Sequence, residues 1–424
     1  MSKNIENKLI PKLRFPEFSK DGEWQLTSIG QVGKFYYGKS APKWSLSEDA
    51  PTPCVRYGEL YTKFDTIIDK VYSRTNIEPS NLKFSKGGEI LVPRVGEVPQ
   101  DFAKNCCYLP FPNIAIGEMI SVYETKEHPI FYTHYFRTLF RQFAKVVEGQ
   151  NVKNLYYINL EPIKIGKPSY LEQKKISDCL SSLDEIIKAE SQKLDLLQNH
   201  KRGLLQNLLP NGKETKPKYR FKEFEKSSEW VEETLINLAN FRRGSFPQPY
   251  GLPKWYDDYK GMPFVQVFDV GEDFRLKPTT KRKISELAAQ QSVFIPKGTL
   301  IITIQGSIGR VAITQYDAYI DRTLLLFEEF HKEIDITFFA YTLFLLFEIE
   351  KQKAPGGIIK TITKEVLSGF VVKLPSIEEQ RKIASCLSSL DELISAQNEK
   401  IEALRQHKNG LLQGLFPNIN EVTV

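Results

Sequence analysis

Residues 168–211 read PSYLEQKKISDCLSSLDEIIKAESQKLDLLQNHKRGLLQNLLPN, and residues 375–418 read PSIEEQRKIASCLSSLDELISAQNEKIEALRQHKNGLLQGLFPN. The two stretches align without a gap at a shift of 207, and 26 of their 44 positions are identical. A repeat of that length and spacing makes the chain a tandem of two units. Apolar residues recur in the first stretch at Ile176, Leu180, Leu183, Ile187, Leu194, Leu197, Leu204 and Leu208, and in the second at Ile383, Leu387, Leu390, Ile394, Ile401, Leu404, Leu411 and Leu415. Steps of three and four keep them on one face of a helix, the seam of a coiled coil. Glu190 and Lys201 break the first seam, and Gln397 and Lys408 break the second at the same places. Polar seam residues cost stability and fix register. Ser169 and Ser376, each after a proline, are N-cap candidates; Pro210 and Pro417 stop the helices, and Gly203 and Gly410 loosen their last turns. Some 38 helical residues make a rod of about 57 Å. A rod with one apolar face needs a partner, and the simplest is its own duplicate, packed antiparallel with the globular units at opposite ends.

Outside the helices the duplication is looser. PKLRFPEFSKDGEW (11–24) is matched by PKYRFKEFEKSSEW (217–230). Further in, CVRYGELY (54–61) stands opposite FVQVFDVG (264–271), KGGEILVPRVG (86–96) opposite PKGTLIITIQG (296–306), and GQNVKN (149–154) opposite GGIIKT (356–361). The frame is kept while the content changes. Helices that stay alike suggest one kind of partner engaged twice, and globular parts that diverge suggest two targets. The globular parts read as mixed α/β domains: EILVPRV, TLIITI and FVVKL are β-branched runs, whereas 131–147 and 338–353 have helical spacing. The expected boundaries are 1–167 and 211–374 for the two domains, 168–210 and 375–417 for the helices, and 418–424 for a tail.

Composition narrows the class. With 41% hydrophobic and 26% charged residues, the chain is expected to be globular rather than disordered. The net charge of +6 leaves nucleic acid open as a partner without requiring it. Five cysteines without a C-x-x-C pair point to a reducing cytoplasm, the amino terminus is too polar for a signal peptide, and the apolar run near 336–347 is too short to span a bilayer. That run reads as a buried helix.

Most chemical motifs fail on context. GKFYYGKS (33–40) fits the P-loop letters, but aromatic residues fill the loop, Pro42 opposes the following helix, and the second copy reads NFRRGSF. No NPPY-like tetrapeptide for adenine methylation and no Gly-rich dinucleotide fingerprint is present. His128, His134 and His331 are scattered and His200 and His407 are repeat equivalents, all read as surface or capping residues; Cys106, Cys107, Cys179 and Cys386 read as small packing residues. No catalytic constellation, metal site or cofactor is expected in this chain.

What remains is a set of basic and aromatic residues on glycine-flanked loops. These are Lys39, Arg56, Tyr57, Lys63, Arg74, Arg94 and Lys153 in the first unit, and Arg242, Arg243, Lys254, Gln266, Lys281, Arg282, Lys283, Arg310 and Lys360 in the second. Arg is bidentate to guanine and Gln to adenine, while Lys mostly holds phosphate. Arg56 and Gln266 occupy matching positions with different chemistry, which makes them the best candidates for base readout. A non-catalytic scaffold or homodimerisation protein without DNA readout would use the same helices.

The blocks LRFPEF…EW and YRFKEF…EW, the pieces PRVG and TIQGSIG, and above all the twin P-S-x-x-E-Q-x-K-I helices resemble the specificity subunit of type I restriction-modification systems. The resemblance covers nearly the whole chain. It implies two target-recognition domains, each reading half of a bipartite double-stranded DNA site, joined by two helices whose antiparallel coiled coil sets the spacer. It also implies partners: two methyltransferase subunits that use S-adenosylmethionine to methylate adenine N6, and, in the full complex, restriction subunits that use ATP and Mg. The chain itself would perform no chemistry.

Overall fold

The computed structural model describes residues 9–39, 41–210, 214–353 and 364–417. Lys360, the GGIIKT stretch, Ser40 and the tail from 418 lie outside them. The chain divides into two units: residues up to Glu190 together with those from Lys400 onward, and residues Ser191–Glu399. The long helices are Tyr170–Leu208 and Ile377–Leu415, so each helix contributes one half to each unit. The helices run through Gly203 and Gly410 and end ahead of Pro210 and Pro417.

The two units repeat one topology. In the first, Gly33–Tyr37, Ile120–Thr125, Glu89–Pro93 and Cys107–Leu109 form an antiparallel sheet in that order. A second sheet runs Ser73–Thr75, Thr52–Val55, Pro112–Ile116, Phe84–Lys86, with Thr52–Val55 and Pro112–Ile116 parallel. In the second unit the corresponding sheets are Ala239–Arg243, Leu324–Phe330, Leu300–Thr303, Val311–Ile313, and Arg282–Ile284, Met262–Val265, Ala318–Ile320, Val293–Ile295, again with one parallel pair, Met262–Val265 and Ala318–Ile320. The mixed α/β reading holds. Residues 131–147 fall on the helices Pro129–Thr138 and Phe140–Lys145, and residues 338–353 on Ile336–Lys353, whose Phe338, Phe339, Leu343 and Phe347 are fully buried.

Chain entry and exit are tied together in each unit. Gln25–Ser28, just after Trp24, pairs with Lys164–Lys167, just before Pro168; Val231–Thr234, after Trp230, pairs with Val371–Leu374, before Pro375. The globular part therefore opens and closes at the foot of a long helix.

The retained motifs meet at that foot. Arg14 makes a two-pronged ion pair with Glu172, both bonds 2.8 Å, and Trp24 Nε1 donates to the same carboxylate at 3.2 Å. Arg220 pairs with Glu379 in the same way, at 2.8 and 2.6 Å. Both carboxylates are only 1% exposed. The residue before each arginine holds the other helix: the Leu13 N–H donates to Gly414 O at 2.8 Å, and the Tyr219 N–H to Asn207 O at 2.9 Å. One short segment thus clips the start of one helix to the end of the other, once per unit. The Glu172 and Glu379 N–H groups donate to the hydroxyls of Ser169 and Ser376, as N-caps require. Gln173 accepts from the His128 N–H at 3.0 Å and Gln380 from the Asp335 N–H at 3.1 Å, each docking the start of the adjoining helix. Every polar letter of P-S-x-x-E-Q is used inside its own unit.

The seam serves two purposes. Ile176, Leu180, Leu411, Leu412, Leu415 and Phe416 close the core of the first unit, and Leu204, Leu205, Leu208, Ile383, Ala384 and Leu387 that of the second. Ile187, Leu194, Leu197, Ile394 and Leu404 are only half-buried. Of the breaks in the seam, Lys408 pairs with Asp184 and Glu190 with Lys400 across the helices in the first unit, and Lys201 with Asp391 in the second. Rising numbers on one helix meet falling numbers on the other, so the helix halves run antiparallel within each unit.

The surroundings of the two Lys–Asp pairs differ. In the second unit Lys201 lies over the rings of Phe274 and Tyr341, at 4.8 and 5.4 Å, and the Tyr341 hydroxyl donates to Asp391 Oδ2. In the first unit His134 occupies the position of Tyr341, and Arg137, paired with Asp65 at 3.1 Å, that of Phe344. His134 is fully buried, contrary to its surface reading, and among the described residues neither ring nitrogen nor Asp184 Oδ2 has a partner. Burial, reinforced by the Lys408 and Arg137 charges, pushes the His134 pKa well below its ordinary 6.5. Aromatic contacts hold one unit where charges hold the other.

Replacing Arg14 with Ala strands the Glu172 carboxylate in the interior and is expected to destabilise the first unit by about 3–5 kcal/mol in chemical denaturation; Arg14→Met with Glu172→Met should recover part of the loss. Folded His134 stays neutral, whereas the unfolded chain takes up a proton below about pH 6.5. Stability is therefore fully present above that pH and lost below it, by up to about 1.4 kcal/mol per pH unit. Denaturation of the full chain at pH 7.5 and 5.5 checks this, with His134→Tyr expected to reduce the difference and the remainder to come in part from His128, whose pKa burial also lowers.

Candidate nucleic-acid interface

The best-defined surface common to the units lies where the two parallel strands end. In the first unit Val55 and Ile116 finish side by side, joined by the Gly117 N–H donating to Val55 O at 2.9 Å, with the Lys39 N–H on Ile116 O at 2.8 Å. In the second, Val265 and Ile320 finish side by side, and the Asp321 N–H donates to Val265 O at 3.0 Å. Gly38 and Gly244 cross this edge: a Cβ would lie 2.1 Å from Gly117 O in one and 2.4 Å from Asp321 O in the other, so neither position admits a side chain. The next residues along the first strand of each pair are Arg56 and Gln266.

An acid three residues on props each of them. Glu59 accepts from the Arg56 N–H and from Ser73 Oγ, both at 2.8 Å. Asp269, 1% exposed, accepts from the Gln266 and Lys281 N–H groups, both at 2.9 Å. Burial raises the Asp269 pKa, and these N–H bonds oppose the rise. Each carboxylate bonds the backbone N–H of the residue it supports and leaves that residue's side chain unused by it.

The candidates sort by what already holds them. Lys39, Arg56 and Tyr57 gather at the strand ends of the first unit, with Tyr57 exposed at the first turn of Tyr57–Thr62. Lys63 lies over Tyr72 at 5.8 Å. Arg74 bonds the carbonyls of Ala50 and Pro51, and so braces a loop. Arg94 stacks on Tyr37 at 4.5 Å and Tyr156 at 5.5 Å, next to the short ladder of Val95–Gly96 with Lys153–Asn154, where Lys153 donates to Gly149 O at 2.7 Å. The Arg94 Nε is buried without a partner among the described residues.

In the second unit Gln266 has Lys281, Arg282 and Lys283 on the neighbouring stretch, with Lys281 over Phe268 at 4.9 Å and Lys254 over Trp255 at 4.3 Å. Arg282 stacks on Tyr256 at 3.9 Å and pairs with Asp258 at 3.2 Å. Arg242 pairs with Glu328 at 2.5 Å, and Arg310 with Glu272 at 2.9 Å and Val270 O at 3.2 Å. Arg243 is exposed on the strand before Gly244. Exposed ion pairs of this kind contribute little to stability.

Sequence reasoning passed over several residues at these edges. Trp44 is 77% exposed beside Lys43, Lys83 lies over Tyr36 at 4.9 Å, and Arg322 lies over Tyr250 at 5.4 Å. Tyr250 and Asp321 were missed as well, and they bond each other. Gly33–Tyr37 of GKFYYGKS form a strand where a P-loop would need a phosphate-cradling turn. Of the histidines, His128 caps the helix Pro129–Thr138. Burial raises the Cys107 thiol to about 12, which makes it an inert packing residue. Among the described residues no cluster suited to a metal ion occurs, and no helix is long and apolar enough to cross a membrane.

A family profile described as "Type I restriction modification DNA specificity domain" matches residues 21–199 and 227–406. The putative type I restriction enzyme MjaX specificity subunit of Methanocaldococcus jannaschii is 24% identical over 289 residues, covering 66% of this chain and 64% of that protein. The type I restriction enzyme EcoBI specificity subunit of Escherichia coli is 25% identical over 319 residues, 70% of this chain and 66% of that one. The matched regions thus span just under two thirds of each relative. In fold, the crystal structure of a type I restriction-modification S subunit from M. genitalium superposes with a TM-score of 0.61 over 96% of this chain and 99% of that one, at 15% identity.

Proposed function

The chain belongs to the type I restriction-modification DNA specificity family, and from that premise we propose that it is the subunit that reads a bipartite DNA site, one half with each globular unit. The observation that carries the reading is internal. Two units share one topology and one Arg–Glu clip, yet at the same strand-end position one presents Arg56 and the other Gln266. A fixed frame with interchangeable side chains is what two independent base readers require. Phosphate contacts from residues such as Lys39, Lys63, Arg243, Lys254 and Lys281 supply affinity that falls steeply with salt.

The helices set the distance between the halves. A 39-residue helix is about 58 Å long, more than one turn of duplex DNA, which is about 34–36 Å. They also offer the docking surface for two methyltransferase subunits. Ser182, Glu185, Ala189 and His200 are exposed, and Ser389, Glu392, Ala396 and His407, identical to them 207 residues on, are exposed too. The clip accounts for Glu172 and Gln173 but not for these. In this reading the chain is non-catalytic and holds no cofactor, its methyltransferase partners use S-adenosylmethionine, restriction subunits use ATP and Mg, and the complex works in the cytoplasm.

Exchanging residues 86–154 for the matching segment of another family member should change one half-site and leave the other intact, read by sequencing methylated DNA from the assembled methyltransferase; altered specificity in both halves would contradict two independent readers. Deleting one heptad from each helix should shorten the spacer by about three base pairs while both half-sites persist. An unchanged spacer would contradict the helices' role as a ruler.

A further inference from the structure

At the strand ends of the second unit a buried acid, a phenol and the candidate reader form one chain of hydrogen bonds. Asp321 is 3% exposed, and its Oδ1 accepts from the Tyr250 hydroxyl at 2.5 Å while Oδ2 accepts from Thr323 Oγ1 at 2.6 Å. With its proton committed to Asp321, the Tyr250 oxygen can act toward Gln266 only as an acceptor. Gln266 Nε2 donates to it at 3.2 Å. The Tyr250 ring packs on Phe246 at 4.9 Å, and Phe246 packs at a tilt on Phe264 of the strand Met262–Val265 at 4.6 Å.

A glutamine amide has two flip states that differ in which end donates. An acceptor placed at Nε2 selects one of them. The amide then offers Oε1 and its second Nε2 hydrogen, the acceptor and donor that pair with N6 and N7 of adenine in the major groove. We infer that Tyr250, oriented by Asp321, is a positioning residue that locks the Gln266 amide for adenine at one position of the half-site read by the second unit. This rests on the reading of Gln266 as a base-contacting residue. The first unit lacks the device, since Gly117 stands where the second has Asp321, and Arg56, whose guanidinium is donor-only, has no flip state to fix.

The test is selection from duplexes randomised across both half-sites, using the full chain assembled with its methyltransferase partner. Wild type should demand adenine at one position of the second half. Gln266→Ala should relax that position on the order of tenfold or more. Tyr250→Phe, which keeps the ring, should relax the same position about tenfold and leave every other position in both halves unchanged. Asp321→Asn keeps an acceptor for the phenol and should stay within about threefold of wild type, which separates positioning from misfolding. Relaxation by Gln266→Ala but not by Tyr250→Phe would overturn the positioning role and spare the reader, as would a Tyr250→Phe loss spread evenly over the half-site. No effect of Gln266→Ala at any position would overturn the reader and the inference with it. A wild-type complex with no base preference in the second half would overturn the assignment of the second unit to DNA.

Discussion

A carboxylate at 1% exposure is tolerated only if something stands in for the water it has lost. Glu172 and Glu379 have that from one arginine each, Arg14 and Arg220, in parallel two-pronged geometry, with an N-cap hydroxyl beneath the same turn. Much else follows from this bond. It brings the segment leading into each globular unit onto the foot of a long helix, and the adjoining Leu13 or Tyr219 N–H ties in the end of the other helix. The strand after the tryptophan can then pair with the strand before the helix proline. Replacing such a pair by apolar groups can be neutral, but removing one partner is not, which accounts for both members being kept in both copies.

With the foot fixed, the rest of each unit is free to change. The clearest case is the environment of the cross-helix Lys–Asp pair. Phe274 packs against Tyr341 and Phe344 around Lys201, whereas His134 and Arg137, the latter paired with Asp65, take the places of Tyr341 and Phe344 near Lys408. Aromatic packing is indifferent to pH and salt over the ordinary range, while a buried neutral histidine among charges is not. The strand ends show the same freedom, with guanidinium chemistry in one unit and an amide held by a phenol in the other. One scaffold thus carries two sets of side chains that answer to different constraints.

The sequence made the duplication, the long helices and the mixed α/β character legible because these are written in local periodicity and in repetition. It also marked Arg56 and Gln266, since a retained frame around a changed residue is visible when one copy is laid on the other. The cause of the retained E-Q pair was not legible, because Arg14 lies 158 residues from Glu172 and Arg220 lies 159 from Glu379. Its retention therefore read as the mark of an outside partner, when it is first an internal bond. Distance hid Tyr250 and Asp321 in the same way, since the two lie 71 residues apart. Charge alone likewise could not tell Arg74, spent on two carbonyls, from Arg243, which stands exposed.

The central claim is that one frame, used twice, reads two unrelated short sequences at a set separation. Mapping N6-methylated adenines across DNA from cells carrying this chain with its methyltransferase partner tests it most directly. The account predicts one motif made of two defined halves, an adenine methylated in each on opposite strands, separated by a spacer of constant length and arbitrary sequence. A single uninterrupted motif, or two halves joined by spacers of varying length, would contradict it.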